Sequence, residues 1–221
     1  MKKKIICLGI LSVAVCAIVV AQTTNEVTSV NAVGYVRLNV VSNQYVQYGM
    51  QFDSITNAAY FRIADIFGTN NIPNGTLVMV YTGSGYNTES YVASIKKWQP
   101  NTNILVRGDA FWVKATATTS LVIMGQVPVL DTPIVIDPGY NMITYPYPLG
   151  TPFTNTFLAT NANNGDIIMK YTGSGYISWS FVTGMHKWMP TNPPLDFVVG
   201  EGFWFKGRST NFVEKIPYTL N

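Results

Sequence analysis

The stretch NGDIIMKYTGSGYISWSFVTGMHKWMP, residues Asn164–Pro190, decides the fold because it repeats NGTLVMVYTGSGYNTESYVASIKKWQP, residues Asn74–Pro100. Equivalent residues lie 90 positions apart throughout the block, and no gap is needed to align them. A repeat of this length can bury a core of its own, unlike the units of about 20–50 residues that build solenoids. We therefore predict two tandem copies of one small module.

Alternating apolar residues in the repeat predict two β-strands joined by a Thr-Gly-Ser-Gly turn. In each copy three apolar residues share one strand parity, which we predict to face the core: Leu77, Met79 and Tyr81 in the first copy, and Ile167, Met169 and Tyr171 in the second. Upstream, the valine-rich segment Glu26–Val41, which alternates from Val33 onward, predicts another strand with one buried face. Helical spacing over Ile55–Phe67, ending before Gly68, predicts a short helix.

These patterns predict an all-β fold made of two tandem β-sandwich- or barrel-like modules of one repeated unit, each with a short helix. We place a signal peptide at residues 1–21, the first β module with its N-terminal strand at 22–128, and the second β module at 129–221. The boundary between the modules falls near Pro128–Thr132, where the first copy of the repeated unit ends.

The N-terminus has the features of a secretory signal peptide, with three lysines, an apolar run and small residues at Val19 and Ala21. An uncleaved anchor is the alternative, and a lipoprotein site at Cys16 is disfavoured by the bulky Val15 before it. We expect export through the Sec route to the medium, the cell surface or the periplasm, with a mature chain that begins at Gln22.

Removal of the signal peptide changes the charge balance, because three lysines leave with it and basic and acidic residues become equal in number. The mature chain therefore has no basic excess to favour nucleic acid, and we predict no membrane span in it. Both cysteines, Cys7 and Cys16, are also lost. Only 11% of the whole chain is charged, against about 25% in an average domain, so its surface must be mostly neutral.

Both modules end in a similar aromatic motif, GDAFWVK from Gly108 to Lys114 and GEGFWFK from Gly200 to Lys206. Strand parity places Phe111 and Phe203 on the core side. It places Trp112 and Trp204 on the same face as lysine, so we predict that these tryptophans are half-exposed platforms or lids over a neighbouring loop.

The SVNAVGYV opening after the signal peptide, with module ends of the GEGFWF type, resembles a group of secreted two-module β proteins of planctomycete and verrucomicrobial bacteria. This resemblance covers most of the mature chain. It implies secretion and β modules, and it implies no catalytic activity.

Trp179 takes the place that Glu89 holds in the first copy, so the shared fold does not require a tryptophan there. Two interpretations are open. If its strand face points inward, Trp179 is an additional core residue; if that face is exposed, Trp179 forms an apolar patch with Tyr176 and Trp204. The candidate ligand or partner contacts are therefore Trp112, Tyr176, Trp179 and Trp204.

Catalytic machinery is not evident in this sequence, and we predict no catalytic residue, no cofactor and no metal site. The only histidine, His186, aligns with Lys96 and is expected on the surface. We expect a secreted, non-catalytic structural or cell-surface protein, associating with itself or with other surface proteins. The alternative is a lectin-like protein that binds glycans through exposed aromatic residues, and an enzyme of unknown type is third.

Overall fold

Eighteen β-strands and two short helices form this computed structural model, which describes residues 32–56, 59–208 and 210–219. The all-β prediction is confirmed. The predicted signal peptide and the predicted start at Gln22 lie outside the described residues.

The strands divide into two equal sets, which we name the first and the second module. The first module contains β1 (Val33–Val40), β2 (Tyr45–Gly49), β3 (Phe61–Arg62), β4 (Leu77–Tyr81), β5 (Tyr86–Val92), β6 (Lys97–Gln99), β7 (Ile104–Leu105), β8 (Ala110–Lys114) and β9 (Thr119–Gln126). The second contains β10 (Thr132–Ile136), β11 (Gly139–Thr144), β12 (Thr151–Pro152), β13 (Ile167–Tyr171), β14 (Tyr176–Val182), β15 (Lys187–Met189), β16 (Asp196–Phe197), β17 (Gly202–Gly207) and β18 (Thr210–Glu214). Each module has one short helix, α1 (Ile63–Phe67) or α2 (Phe157–Thr160), and 3₁₀ turns lie at Phe153–Asn155 and Thr183–Met185.

The two modules have the same sheet topology. Their five-stranded antiparallel sheets run in the orders β2-β8-β4-β5-β6 and β11-β17-β13-β14-β15. Each module adds two strand pairs, β1-β9 and β3-β7 in the first, β10-β18 and β12-β16 in the second. Matching positions in the repeated sequence therefore occupy matching positions in the two sheets.

The tight turns of the repeat also match. Lys96 and His186 both adopt the left-handed backbone conformation, with φ of 50° and 49°, and both are exposed. The only histidine is therefore a surface turn residue, as its alignment with Lys96 predicts.

Each five-stranded sheet buries one face in the core of its own module. Phe111 and Phe203 lie there almost inaccessible to solvent, as the parity of the aromatic motif predicts. In the neighbouring strands, however, the fully buried residues are Val78 and Ile168, on the parity opposite to the one we predicted.

The predicted core residues Met79, Tyr81, Met169 and Tyr171 are only half-buried, so that part of the parity prediction is wrong. They lie on the other face of their sheets, which meets the other module. Both faces of Leu77–Tyr81 are apolar, and in Ile167–Tyr171 the inner face carries Lys170, which pairs with Glu201, so alternation alone does not say which face is inner.

Backbone hydrogen bonds join the modules in a reciprocal pattern. Gly49 N donates to Gly200 O at 3.0 Å, and Thr144 N, in the matching strand, donates to Gly108 O at 2.9 Å. A Cβ on Gly49 would lie 2.2 Å from the Cβ of Thr144, so only glycine permits this approach. The described residues of both modules therefore belong to one compact unit, Asn31–Asn221.

The helix of the first module is shorter than predicted. It begins at Ile63 instead of Ile55, because Phe61 and Arg62 pair with β7 as an extended strand. The Asp65 carboxylate accepts a hydrogen bond from Arg62 N at 2.9 Å, which closes the N-terminus of the helix there. Gly68 follows the last helical residue, as predicted.

We predict that Phe111→Ala and Phe203→Ala each lower the free energy of unfolding by about 3–5 kcal/mol, because each leaves a cavity in a closed core. Urea denaturation followed by circular dichroism measures the loss. Phe157→Ala is the matched control, since the Phe157 ring is exposed and its removal leaves no closed cavity. A loss below about 1 kcal/mol at Phe111, or an equal loss at Phe157, would contradict the assignment.

Candidate functional site: an aromatic cleft between the sheets

The outer faces of the two five-stranded sheets meet and leave a shallow cleft, here called the intersheet cleft. Its volume is about 240 Å³, and its lining residues are Tyr45, Met79, Tyr86, Trp112, Tyr171 and Tyr176. All six side chains are uncharged, and five are aromatic. Both modules contribute to the cleft, so the site exists only because the sheets face each other.

Two matching aromatic chains run through this region. In one chain Trp112 meets Tyr171 edge to face, with ring centroids 5.0 Å apart, and in the other Trp204 meets Tyr81 at 4.8 Å. Both tryptophans therefore contact a tyrosine of the opposite module. The reciprocity gives the interface an approximate two-fold relation, like that of a symmetric dimer within one chain.

Each chain extends to both sides with similar geometry. Tyr45 lies 6.4 Å from Trp112, and Tyr140 lies 6.2 Å from Trp204. Lysine ammonium groups cover the outer rings, at 4.9 Å over Tyr45 and 5.2 Å over Tyr140. The remaining members pair at 5.6 Å and 5.4 Å: Tyr81 with Tyr86, and Tyr171 with Tyr176. Such contacts fix the positions of the rings.

The prediction of half-exposed tryptophan platforms is wrong for both Trp112 and Trp204. Their exposed fractions are 5% and 7%, because each is covered by the sheet of the opposite module. The lysines on the same strand face stay at the rim, with Lys114 half-buried and Lys206 exposed, and only the tryptophans reach the contact between sheets.

Tyrosines form the accessible part of the aromatic surface. Tyr45, Tyr86, Tyr140 and Tyr176 are 38–49% exposed. Burial raises the pKa of Tyr86 above its usual value, and hydrogen bonding to Trp112 opposes the rise. A neutral hydroxyl beside a half-covered ring can both donate and accept a hydrogen bond.

Trp179 is a core residue, which is the first of the two interpretations open from the sequence. It is 4% exposed, and its indole N–H donates to Pro193 O at 3.0 Å. Glu89 takes the same position in the first module. Its carboxylate accepts hydrogen bonds from Thr102 N and Asn103 N, both at 2.6 Å. Each side chain thus anchors the loop that follows the strands.

The predicted patch of Tyr176, Trp179 and Trp204 does not form. Tyr176 and Trp179 are three residues apart in β14, so they point to opposite faces of the sheet. Tyr176 and Trp204 lie on the outer face, whereas Trp179 lies on the inner face. There it lines a separate cavity of about 410 Å³ in the second module, with Phe153, Phe181 and Trp188.

Sequence reasoning missed four of the six cleft residues, namely Tyr45, Met79, Tyr86 and Tyr171. The usable signal was that Tyr81 and Tyr86 recur as Tyr171 and Tyr176 in the repeat. Trp179 differs from these tyrosines because it occurs in one copy only. The site instead contains residues that both copies share.

The chain shows no significant similarity to any protein-family model, curated protein or solved structure. The resemblance to planctomycete and verrucomicrobial secreted proteins therefore stays a prediction. Among the described residues, no helix is long and apolar enough to cross a membrane. The same part of the chain contains no group of three or more His, Cys, Asp or Glu residues that could hold a metal ion.

Gln47 is a polar exception in the contact between the modules. It lies opposite Trp112 in β2 and is 6% exposed, and neither of its side-chain polar atoms has a hydrogen-bond partner among the residues that the structure describes. The matching residue of the second module is Met142, opposite Trp204. One module thus places an amide where the other places an apolar chain of similar length.

We predict that Gln47→Met raises the free energy of unfolding by about 1–3 kcal/mol, because it removes a buried amide without partners. Urea denaturation of the two proteins measures the difference. Met142→Gln is the reciprocal variant and should be less stable than the wild type. An unchanged or lower stability of Gln47→Met would show that the amide is satisfied.

The acids of the two aromatic motifs differ in their partners. Glu201 pairs with Lys170 at 2.6 Å, whereas Val80 holds the place of that lysine beside Asp109. The Asp109 carboxylate accepts a hydrogen bond from Val106 N at 2.8 Å. Burial raises the pKa of Asp109 from 3.8 to about 6, and that hydrogen bond opposes the rise.

This raised pKa predicts a pH dependence of stability. The folded chain keeps the Asp109 proton up to about pH 6, whereas the unfolded chain loses it near pH 3.8, so the stabilisation present below pH 3.8 is lost as the pH rises to 6. Asp109→Asn keeps an acceptor for Val106 N and cannot ionise. The unfolding free energy of Asp109→Asn minus that of the wild type should therefore increase by about 1–3 kcal/mol from pH 4 to pH 7. A difference that is constant over this range would contradict the prediction.

Proposed function

We propose that this chain is a secreted, non-catalytic, surface-associated protein that binds neutral polysaccharide along the intersheet cleft. The observation that carries the proposal is the pair of matching aromatic chains, which offers four exposed tyrosines around buried tryptophans. Tyrosine supplies rigid contact area at low entropic cost together with a hydroxyl that hydrogen-bonds. Sugars present apolar C–H faces and hydroxyl groups, which match these two properties.

The chemistry of the cleft favours a neutral ligand. Its six lining residues carry no charge, and the nearby ammonium groups of Lys114 and Lys206 are already placed over tyrosine rings. An acidic ligand would have to compete with those cation–π contacts.

The two-fold arrangement favours a polymer over a single sugar. Equivalent tyrosines recur on both sides of the contact between modules, so one chain of repeating sugar units can meet both sets. The cleft is shallow. A surface that contacts an extended polysaccharide through several tyrosine rings needs no deep pocket.

Native gel electrophoresis in the presence of soluble neutral polysaccharides tests the proposal, with mixed-linkage β-glucan, xyloglucan, galactomannan and xylan as probes. At least one should retard the mature wild-type chain. Tyr86→Ala combined with Tyr176→Ala should weaken binding about tenfold or more, a loss of about 1.4 kcal/mol. Tyr35→Ala is the matched control, because Tyr35 is 70% exposed on β1 and does not line the cleft. No retardation by any probe, or equal binding by the double variant, would refute the proposal.

Self-association is a second candidate, supported by a different surface. Val33, Tyr35 and Met124 are 50–70% exposed, and Tyr35 lies opposite Met124 in the β1-β9 pair. Adjacent exposed apolar side chains on a chain with few charges favour contacts between copies.

The same variants separate the two candidates. If copies associate through the β1-β9 pair, Tyr35→Ala should lower the concentration-dependent mass seen by sedimentation velocity and leave glycan binding intact. The Tyr86 and Tyr176 double variant should do the reverse. A wild-type chain that stays monomeric at all concentrations would exclude self-association.

A further inference from the structure

The cavity in the second module is bounded by a tryptophan whose surroundings can be compared with those of its repeat partner. Trp188 lies 5.6 Å from Phe181 with an interplanar angle of 52°, and Trp98 lies 5.5 Å from Tyr91 at 55°. Each indole therefore meets the equivalent aromatic ring of the neighbouring strand at a similar distance and angle. What differs is the chain that packs against them.

In the first module the indole is covered by the end of α1. The Phe67 ring lies 5.9 Å from Trp98, and Trp98 Nε1 donates to Gly68 O at 2.9 Å. The Tyr91 hydroxyl donates to Thr69 O. An apolar ring followed by backbone carbonyls thus completes this site from within the chain.

In the second module the corresponding segment packs differently. The Phe153 ring lies 4.9 Å from Trp188, edge to face, and lines the cavity. Thr151 pairs with Phe197 as Phe61 pairs with Leu105, so Thr151 and Phe61 are equivalent positions. Phe157 is as many residues after Thr151 as Phe67 is after Phe61, and it is therefore the equivalent of Phe67. Phe157 does not cover Trp188. Its ring stacks on Phe212 at 6.0 Å, and its backbone N–H donates to the Glu214 carboxylate at 2.9 and 3.0 Å.

This departure leaves both a space and an unpaired donor. The space is the cavity of about 410 Å³, within the range of pockets that hold small ligands. The indole nitrogen of Trp188 is shielded from solvent and has no hydrogen-bond partner within residues 32–56, 59–208 and 210–219. A buried donor without an acceptor is costly, and a bond made away from water is strengthened.

We propose that this cavity binds an uncharged ligand that supplies what Phe67 and Gly68 supply in the first module. Such a ligand combines an aromatic ring with a carbonyl oxygen, as in a peptide segment with an aromatic residue before glycine. The ring packs beside Trp188, and the oxygen accepts the indole N–H. The charged lining residues Lys187 and Asp196 are exposed, whereas the aromatic walls are buried or half-buried.

Isothermal titration of the mature chain with N-acetyl-Phe-Gly-amide tests the proposal. Trp188→Phe keeps an aromatic wall and removes the donor, so it should weaken binding about tenfold. Trp98→Phe is the matched control and should bind like the wild type, because the indole it removes already bonds Gly68 O. N-acetyl-Gly-Gly-amide, which lacks the ring, should bind at least tenfold more weakly than the aromatic probe.

A second variant keeps the test independent of the tryptophan substitutions. Ala159 is half-buried in the cavity lining, and Ala159→Trp should fill the space and abolish binding, with folding checked by circular dichroism. Several results would overturn the proposal: no binding of the aromatic probe to the wild type, unchanged affinity in Trp188→Phe, equal loss in Trp98→Phe, or equal affinity for the two probes.

Discussion

The close approach of the two sheets at Gly49 and Gly202 is the constraint on which the rest of the structure depends. A Cβ on Gly202 would lie 2.7 Å from Tyr48 O and 2.8 Å from the Ala110 Cβ, and one on Gly49 would meet Thr144. These contacts let backbone groups of one module bond those of the other. Because the sheets meet there, the tryptophans of the aromatic motifs, Trp112 and Trp204, are covered by the opposite module and become interior residues.

The contact between the sheets also explains which aromatic side chains stay accessible to solvent. Side chains near the approach of the sheets are covered, whereas the tyrosines farther out stay partly open and form the intersheet cleft. The repeat also makes each departure from symmetry informative. Trp98 donates its indole N–H to Gly68 O, whereas Trp188, the matching residue, borders a cavity and its indole N–H has no partner in the described part of the chain.

Much of the fold followed from the sequence, because it depends on local patterns. The alternation of Val33–Val40, the burial of Phe111 and Phe203, and the end of a helix before Gly68 were all predictable. The candidate site was predictable only in part. Tyr176 is exposed as a ligand contact requires, but Trp112 and Trp204 are covered and Trp179 lies on the other face.

The sequence by itself determined the all-β class, the repeat and the parity of each strand, because backbone geometry alternates side chains with a period of two. It did not determine which face of Leu77–Tyr81 or Ile167–Tyr171 is the inner one, because both faces of the first strand are apolar and the inner face of the second carries Lys170. Only the tertiary structure decided that, by packing one sheet against the other. The cleft and the cavity likewise depend on residues far apart in the chain, whose proximity no local pattern encodes.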